Sequence, residues 1–335
     1  MAEPPNADAL LQRALELLAA EQYAKALPWL DQALAADPKL ARAWYCKGCA
    51  LSSLGRYAEA TLAFLECTRL APEQTVAWYN LGNALQHLGQ LEPALQCFDL
   101  VTQMDPDEAD AWINKGRLLD DSGQHDEALH CYDRALKVAL EDVIGWGNRG
   151  NSLKALGRIP EALASYEKAL TFDPDYAPAL FGTAECLLTQ GEPAKALPLV
   201  ERGLQLQPDW VAGWCNRGLM LAHLERSAEA LASLERAARL SPKEPLIQSN
   251  RGEVLLRLQR FEDALAAFDA ALALADDCVP AWFGKGRTLL LLERFDDSAA
   301  ALRRFLDLAP ADDPRVPQAQ KWLAQCRRHD RPSTG

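Results

Sequence analysis

No apolar run in this sequence approaches the roughly 18 residues that a membrane-spanning helix requires. Its uninterrupted apolar stretches, such as Leu289–Leu292, are far shorter. Basic residues are also scarce, because 35 lysines and arginines face 47 aspartates and glutamates and leave a net charge of −12. This deficit argues against a protein that binds a nucleic-acid backbone, since such proteins need a basic surface. Residues 1–6 contain neither a basic residue nor an apolar core, so no secretory signal is predicted.

Motifs for catalysis, metal binding and disulfide bonding are also missing. The nine cysteines are odd in number and have no export signal beside them, which predicts reduced thiols in a cytoplasmic protein. Cys46 and Cys49 form a CxxC pair, but a zinc site usually takes four ligands and no second pair occurs. Gly145–Gly150 matches the dinucleotide fingerprint in letters only, because these glycines fall inside a predicted helix. The sequence therefore predicts no enzyme, no metal and no cofactor.

A period of 34 residues runs through almost the whole chain. One position holds leucine in every unit: Leu17, Leu51, Leu85, Leu119, Leu153, Leu187, Leu221, Leu255 and Leu289. Another holds Trp44, Trp78, Trp112, Trp146, Trp214 and Trp282, each followed four residues later by glycine. A proline recurs near the end of most units. A repeat of this length predicts one continuous array of similar structural units.

Nine units result from this period, and each is predicted to form two amphipathic helices. Their bounds are 7–40, 41–74, 75–108, 109–142, 143–176, 177–210, 211–244, 245–278 and 279–312. In the second unit, Trp44 and Gly48 share one helical face, and Gly55 ends that helix as a left-handed residue does. Ala60 and Phe64 then mark the apolar face of a second helix. The small residues Gly48 and Ala60 allow the two helices to approach closely.

These columns resemble the tetratricopeptide repeat, whose pattern of Trp, Gly and Leu, then Ala and an aromatic residue, then Pro covers 306 of the 335 residues. The resemblance implies an all-α, right-handed α-solenoid superhelix of tandem helix-turn-helix repeats. Its concave face would be lined mainly by the first helix of each unit. Residues 313–329 are predicted to form a C-terminal capping helix, because the ends of a solenoid need a cover. Residues 1–6 are predicted to be an N-terminal extension and residues 330–335 a disordered tail.

Opposite charges are matched at a separation of 16 residues, between the second helix of one unit and the first helix of the next. The six pairs are Asp31 with Lys47, Asp99 with Lys115, Asp133 with Arg149, Glu201 with Arg217, Glu235 with Arg251, and Asp269 with Lys285. Where Leu65 replaces the acid, Leu81 replaces the base. This joint replacement favours a structural contact between neighbouring units. The alternative is that the two columns are independent and solvated.

Asparagine occupies one position of the first helix in five units: Asn80, Asn114, Asn148, Asn216 and Asn250. Asparagine is a mediocre helix former, so helix propensity does not explain five occurrences. Its side chain carries both a donor and an acceptor and can pair with a peptide amide. The column resembles the asparagine ladder of superhelical tetratricopeptide arrays that hold extended peptides. The alternative is capping or hydrogen bonding between helices of the scaffold.

We therefore predict a non-enzymatic scaffold that binds an extended peptide or protein segment in its concave groove, with neither nucleic acid nor membrane as a partner. The predicted partner-binding residues are Asn80, Asn83, Asn114, Arg117, Asn148, Asn151, Tyr79, His87, Asp121 and Lys154. The alternative is a structural protein that self-assembles through its convex or terminal surfaces. Trp29, Trp210 and Trp322 lie outside the tryptophan column and are candidates for such a contact.

Overall fold

The computed structural model describes residues 6–329, and within that range it consists of helices joined by short turns. The first helices of nine pairs are α1 (Ala7–Ala19), α3 (Ala41–Ser53), α5 (Thr75–His87), α7 (Ala109–Asp121), α9 (Val143–Ala155), α11 (Ala177–Thr189), α13 (Val211–His223), α15 (Pro245–Arg257) and α17 (Val279–Leu291). The second helices are α2 (Tyr23–Ala36), α4 (Tyr57–Leu70), α6 (Leu91–Met104), α8 (His125–Val138), α10 (Ile159–Phe172), α12 (Pro193–Leu206), α14 (Ser227–Leu240), α16 (Phe261–Leu274) and α18 (Phe295–Leu308). The predicted all-α architecture of tandem helix pairs is confirmed. The predicted disordered tail, 330–335, lies outside the described residues.

The described residues divide into two compact halves, one up to residue 172 and the other from residue 173. The N-terminal half contains the pairs from α1 to α10, and the C-terminal half contains the pairs from α11 to α18. A last helix, α19 (Val316–His329), follows in the C-terminal half. Its buried Leu323 and Cys326 pack against Leu302 and Phe305 of α18. The predicted capping helix is thus present, with its first helical residue three positions later than expected.

In five of the nine pairs an aromatic ring of the second helix lies on a glycine of the first helix, and in two others a leucine does so. A Cβ atom on Gly116 would lie 2.7 Å from Cε1 of Tyr132, and one on Gly150 would lie 2.5 Å from Cε1 of Tyr166. Both tyrosines are fully buried. Only a residue without a side chain fits at these positions without moving the ring.

Successive units are joined through the tryptophan column. Each indole Nε1 donates a hydrogen bond to the backbone carbonyl six residues earlier, in the turn that closes the preceding unit. The acceptors are Pro38, Pro72, Pro106, Leu140, Pro208 and Asp276, at 2.7–3.0 Å. The bond fixes the direction in which each first helix leaves that turn, and it explains why tryptophan recurs at the repeat period.

Ion pairs form at five of the six predicted positions. The distances are 2.6 Å for Lys47–Asp31, 2.7 Å for Lys115–Asp99, 2.8 Å for Arg149–Asp133, 2.8 Å for Arg217–Glu201 and 2.7 Å for Lys285–Asp269. Four of these bases also lie over the tryptophan three residues earlier: Lys47, Lys115, Arg149 and Lys285. The contact is therefore structural, and the alternative of two independent columns is wrong for these pairs.

The sixth predicted pair, Glu235 with Arg251, does not form. Gln248 occupies the tryptophan position of this unit, and Nη1 of Arg251 donates to its Oε1 at 3.3 Å. The Nε of Arg251 is buried and has no partner among the described residues. Without an indole beneath it, the guanidinium turns toward the glutamine of its own helix.

Arginine and lysine play different parts in this ladder. Nη1 of Arg149 donates to Oγ of Ser165 at 2.7 Å, and Nη1 of Arg217 donates to Oγ of Ser233 at 2.7 Å. The forked guanidinium thus joins three helices, which the single ammonium of a lysine cannot do in the same way. The lysine-bearing units have Ala63, Cys131 and Ala301 at the serine position. In the five units that form the ion pair, serine thus accompanies arginine and is absent beside lysine, whereas the unpaired Arg251 has Ala267 at this position.

The three tryptophans outside the tryptophan column, Trp29, Trp210 and Trp322, pack against the scaffold core. Each is half-buried and packs within its own half of the chain. Trp210 packs against Phe181, and the ring of Trp322 lies 5.1 Å from that of Phe283. Trp29 packs against the core formed by the first helix pairs. Their rings pack against the scaffold core, and a docking surface that includes them stays a prediction.

Substitutions of the glycines that lie four residues after the tryptophan position should lower the free energy of unfolding. The loss should be larger where the side chain of the second helix lies closer to the added atoms. Gly116→Leu should cost about 3 kcal/mol or more, because the side chain would overlap Tyr132. Gly150→Ala should cost more than Gly82→Ala, since the added Cβ would lie 2.5 Å from the ring at Gly150 and 3.0 Å at Gly82. Thermal and urea unfolding would measure both. Equal melting transitions for Gly116→Leu and the native chain would contradict the packing.

Four turns place a residue other than glycine in the left-handed region: Glu21, Glu225, Gln259 and Glu293. Glu225→Gly should stabilise the protein by up to about 1 kcal/mol, because glycine adopts a positive φ without a steric cost. The reverse control is Gly123→Glu, at a φ of 76° with nothing within 4 Å of an added Cβ. Gly123→Glu should lower the free energy of unfolding, because a residue with a side chain is strained at a positive φ even where there is space for it. A stabilising effect of Gly123→Glu in urea unfolding would refute the explanation.

The Asp133–Arg149 contact can be measured by a double-mutant cycle. Asp133→Lys should destabilise modestly, because it places two positive charges together. Adding Arg149→Glu should recover part of the loss, with a coupling energy of about 0.5–1 kcal/mol. Raising the salt concentration should reduce that coupling. Strictly additive effects of the two substitutions would show that the ion pair contributes nothing.

Candidate functional site

The asparagine face consists of Asn80, Asn83, Asn114, Arg117, Asn148 and Asn151, on the first helices α5, α7 and α9. Two of these asparagines donate a hydrogen bond to a tyrosine hydroxyl of the preceding first helix. Nδ2 of Asn80 donates to the hydroxyl of Tyr45 at 3.2 Å, and Nδ2 of Asn114 donates to that of Tyr79 at 3.1 Å. The tyrosine precedes its asparagine by 35 residues in both cases. The column therefore has a structural role in these two units.

Asn148 differs from the other two because it has no tyrosine to bond. The residue 35 positions before it is Ile113, which has no hydroxyl group. Nδ2 of Asn148 is buried and lacks a hydrogen-bond partner among the described residues. Leaving such a donor unsatisfied costs about 1–3 kcal/mol. The scaffold alone does not account for an asparagine at this position.

Three polar side chains lie within hydrogen-bonding distance of the carboxylate of Asp120, beside Asn148. Its carboxylate accepts from the hydroxyl of Tyr132 at 2.8 Å and from Oγ of Ser152 at 2.7 Å. Nδ1 of His125 lies 2.9 Å from the same carboxylate. Burial, followed by the charge of Asp120, raises the pKa of Tyr132, so its hydroxyl stays protonated and donates. The neighbouring Asp121 is exposed and lies at the edge of the same group of residues.

A cavity of about 260 Å³ joins these residues between α7 and α9, with α8 at one side. The predicted site residues in its lining are Arg117, Asp121, Asn148 and Asn151. The lining residues that were not predicted as site residues are Asp120, His125, Tyr132 and Ser152. The sequence contains a signal for one of them, Tyr132, because tyrosine replaces the phenylalanine of units two, three and eight at positions 132 and 166. A hydroxyl in the core requires a polar partner, and these two find Asp120 and Asn151.

The remaining predicted residues lie outside this cavity. Tyr79, Asn80, Asn83 and Asn114 form the hydrogen-bond network between α3, α5 and α7. His87 stacks on the ring of Tyr57 at 4.1 Å between centroids and 7° between planes. Lys154 lies in the last turn of α9 and is half-buried. The structure thus brings together four of the ten predicted site residues in one cavity.

The chemistry of the cavity is that of hydrogen bonding and charge recognition. It contains a serine, a histidine and an aspartate, but Ser152 donates to Asp120 and not to His125. A hydrolytic triad requires the histidine to lie between the other two side chains. Burial raises the pKa of Cys46 to about 11 and also raises that of Cys49, so the CxxC pair carries protonated thiols. Among residues 6–329, no three His, Cys, Asp or Glu side chains are grouped to hold a metal ion.

Five family models, each described as tetratricopeptide repeat, match the chain. The matched residues are 29–61, 73–141, 113–177, 153–214, 211–244 and 249–313. The chain belongs to the tetratricopeptide repeat family. Members of this family are generally non-enzymatic and typically bind protein partners, so the fold suggests a scaffold for protein–protein interactions.

Several solved structures share this fold. A chain of the APC/C hetero-tetramer Cut9–Hcn1 aligns with a TM-score of 0.62 and 20% identity, over 84% of this chain and 56% of that one. A tetratricopeptide repeat protein from Parabacteroides merdae aligns with a TM-score of 0.56 and 14% identity, over 76% of this chain and 98% of its own. PilF of Pseudomonas aeruginosa aligns with a TM-score of 0.57 and 19% identity, over 65% of this chain and 97% of its own. At these identities the likeness concerns the fold alone.

No curated protein matches the sequence significantly. Within the part of the chain that the structure describes, every helix is too short or too polar to span a bilayer.

Proposed function

We propose that this tetratricopeptide repeat protein is a non-enzymatic scaffold that holds an extended segment of a protein partner along its asparagine face. The observation that carries the proposal is the unpartnered buried amide of Asn148 beside a polar cavity. The χ2 torsion of asparagine is broad, so a rotation of the amide turns Nδ2 toward the cavity. A peptide carbonyl in the cavity would satisfy that donor.

The rest of the asparagine face suits a peptide backbone, which offers donors and acceptors in alternation. Oδ1 of Asn151 accepts from Tyr166 at 2.8 Å, which fixes the amide and leaves its NH2 group to donate. Nδ2 of Asn80 is bonded to Tyr45, which leaves its Oδ1 as an acceptor. Arg117 and the exposed Asp121 supply one charge of each sign at the cavity. We infer that the amides bind the backbone, whereas these two charges select the side chains.

The substitution Asn148→Ala separates binding from folding. It should leave the free energy of unfolding unchanged or raise it, because it removes an unsatisfied donor and alanine is the better helix former. Asn114→Ala should instead destabilise the fold by about 1 kcal/mol, since it removes the bond to Tyr79. Chemical unfolding of both variants would distinguish these two roles.

Affinity for the partner should fall about tenfold or more in Asn148→Ala, as the loss of one buried hydrogen bond predicts. The partner segment would be identified by affinity capture, synthesised, and titrated by calorimetry against the native chain and the variant. Asn250→Ala, in the same column of the C-terminal half, is the matched control and should bind normally. Unchanged affinity of a folded Asn148→Ala variant would place the binding site elsewhere.

A further inference from the structure

A groove of about 480 Å³ lies between the second helices α8 and α10, on the N-terminal half of the chain. Its floor comes from α9, which places Trp146 and Arg149 between the two outer helices. Leu136 and Leu140 add apolar surface at one side. The predicted functions of the asparagine face use none of these side chains.

The groove exposes apolar surface because its turn departs from the repeat pattern. Leu140 stands where most units have proline, and 62% of its surface is exposed. Its backbone carbonyl accepts the indole hydrogen bond of Trp146 at 2.7 Å, so Leu140 and Trp146 are held side by side. An exposed leucine next to a half-exposed tryptophan offers a site for one apolar side chain of a ligand.

The rim of the groove carries an excess of positive charge. Asp133 is the acid in its lining, and it is already paired with Arg149. Lys137 and Lys168 stand on opposite helices, both are exposed, and neither has a hydrogen bond or ion pair within residues 6–329. The groove thus has two uncompensated positive charges on a chain whose net charge is −12.

Three corresponding grooves, at Trp44, Lys115 and Trp282, lack this combination. The groove at Trp44 has the acids Glu59 and Glu66 with the base Lys47. At Lys115 the lining includes Asp126 and Glu127. The groove at Trp282 contains two acid–base pairs and one further base, Arg304. The positive rim is therefore a feature of the α8–α10 groove and does not follow from the repeat pattern.

We propose that the α8–α10 groove binds an acidic segment of a partner protein. The segment inserts one apolar side chain against Trp146 and Leu140, and its flanking carboxylates pair with Lys137 and Lys168. Charge complementarity selects this partner, since an acidic segment is otherwise repelled by the negative charge of the whole chain. The site is independent of the asparagine face.

The test uses an acetylated and amidated pentapeptide in which phenylalanine is flanked by two glutamates on each side. Titration into the full, isotope-labelled chain should shift the indole N–H resonance of Trp146, assigned with Trp146→Phe, at about 1 mM peptide. The same peptide with glutamine in place of glutamate should bind about tenfold more weakly. Higher salt should weaken binding of the acidic peptide.

The double variant Lys137→Glu/Lys168→Glu should bind the acidic peptide about tenfold more weakly. The control is Lys39→Glu/Lys243→Glu, which changes the net charge equally at two exposed lysines outside the groove. The control and Asn148→Ala should both bind as the native chain does, so failure here is distinguishable from failure of the asparagine face.

Three results would overturn the proposal. One is no shift of the Trp146 resonance with the acidic peptide. Another is an equal loss of affinity in both lysine double variants, which would mean that only the overall charge matters. The third is self-association in sedimentation experiments that Lys137→Glu/Lys168→Glu abolishes, because the occupant would then be a second copy of the chain.

Discussion

In seven of the nine helix pairs a glycine of the first helix contacts a side chain of the second helix, and this contact sets the geometry on which the other features depend. At Gly116 and Gly150 the ring of a tyrosine occupies the volume that a Cβ would fill. Because these rings are tyrosines, their hydroxyls enter the core and require polar partners. Asp120 and Asn151 supply them, which orients both side chains at the cavity. The polar site is therefore a consequence of a tyrosine in a core position that three other units fill with phenylalanine and the rest with leucine or valine.

A second set of contacts fixes the register between successive units, and tryptophan is its centre. The indole N–H binds the preceding turn, while the ring supports the base that pairs with the preceding second helix. Arg251 shows this dependence, because it loses its acidic partner where Gln248 replaces the tryptophan. Each ion pair is partly exposed and contributes about 1 kcal/mol at most. We infer that the ladder selects one arrangement of units, whereas burial of the helix faces provides most of the stability.

The fold could be predicted because the residues that make its contacts recur at the same 34-residue period. Nine units with the same pattern identify the repeat, although the pattern of a single unit would not. The site could be predicted only in part, since it arises where the repeat departs from its own pattern. The unsatisfied donor of Asn148 follows from Ile113, but only once the 35-residue spacing from tyrosine to asparagine is known. Asp120 and Asp121 look alike in sequence. Asp120 lies on the side of α7 that faces Tyr132 and Ser152, so it is half-buried and accepts their hydrogen bonds, whereas Asp121 is exposed. Which of the two aspartates faces these side chains depends on how the helices pack.

Helix α9 contributes to both proposed binding surfaces, and its periodicity keeps them apart. Trp146 and Arg149 face the groove between α8 and α10, whereas Asn148 and Asn151 face the cavity beside α7. Residues two apart on a helix diverge by about 200°, so the two sets occupy opposite sides. Gly150 lies between them against Tyr166, and Arg149 is held by Asp133 and Ser165. Because α9 is fixed on several sides, it can present two surfaces of different chemistry. One surface carries amides and the other carries a tryptophan with positive charges around it. Different residues form the two surfaces, so the sequence of each can vary independently.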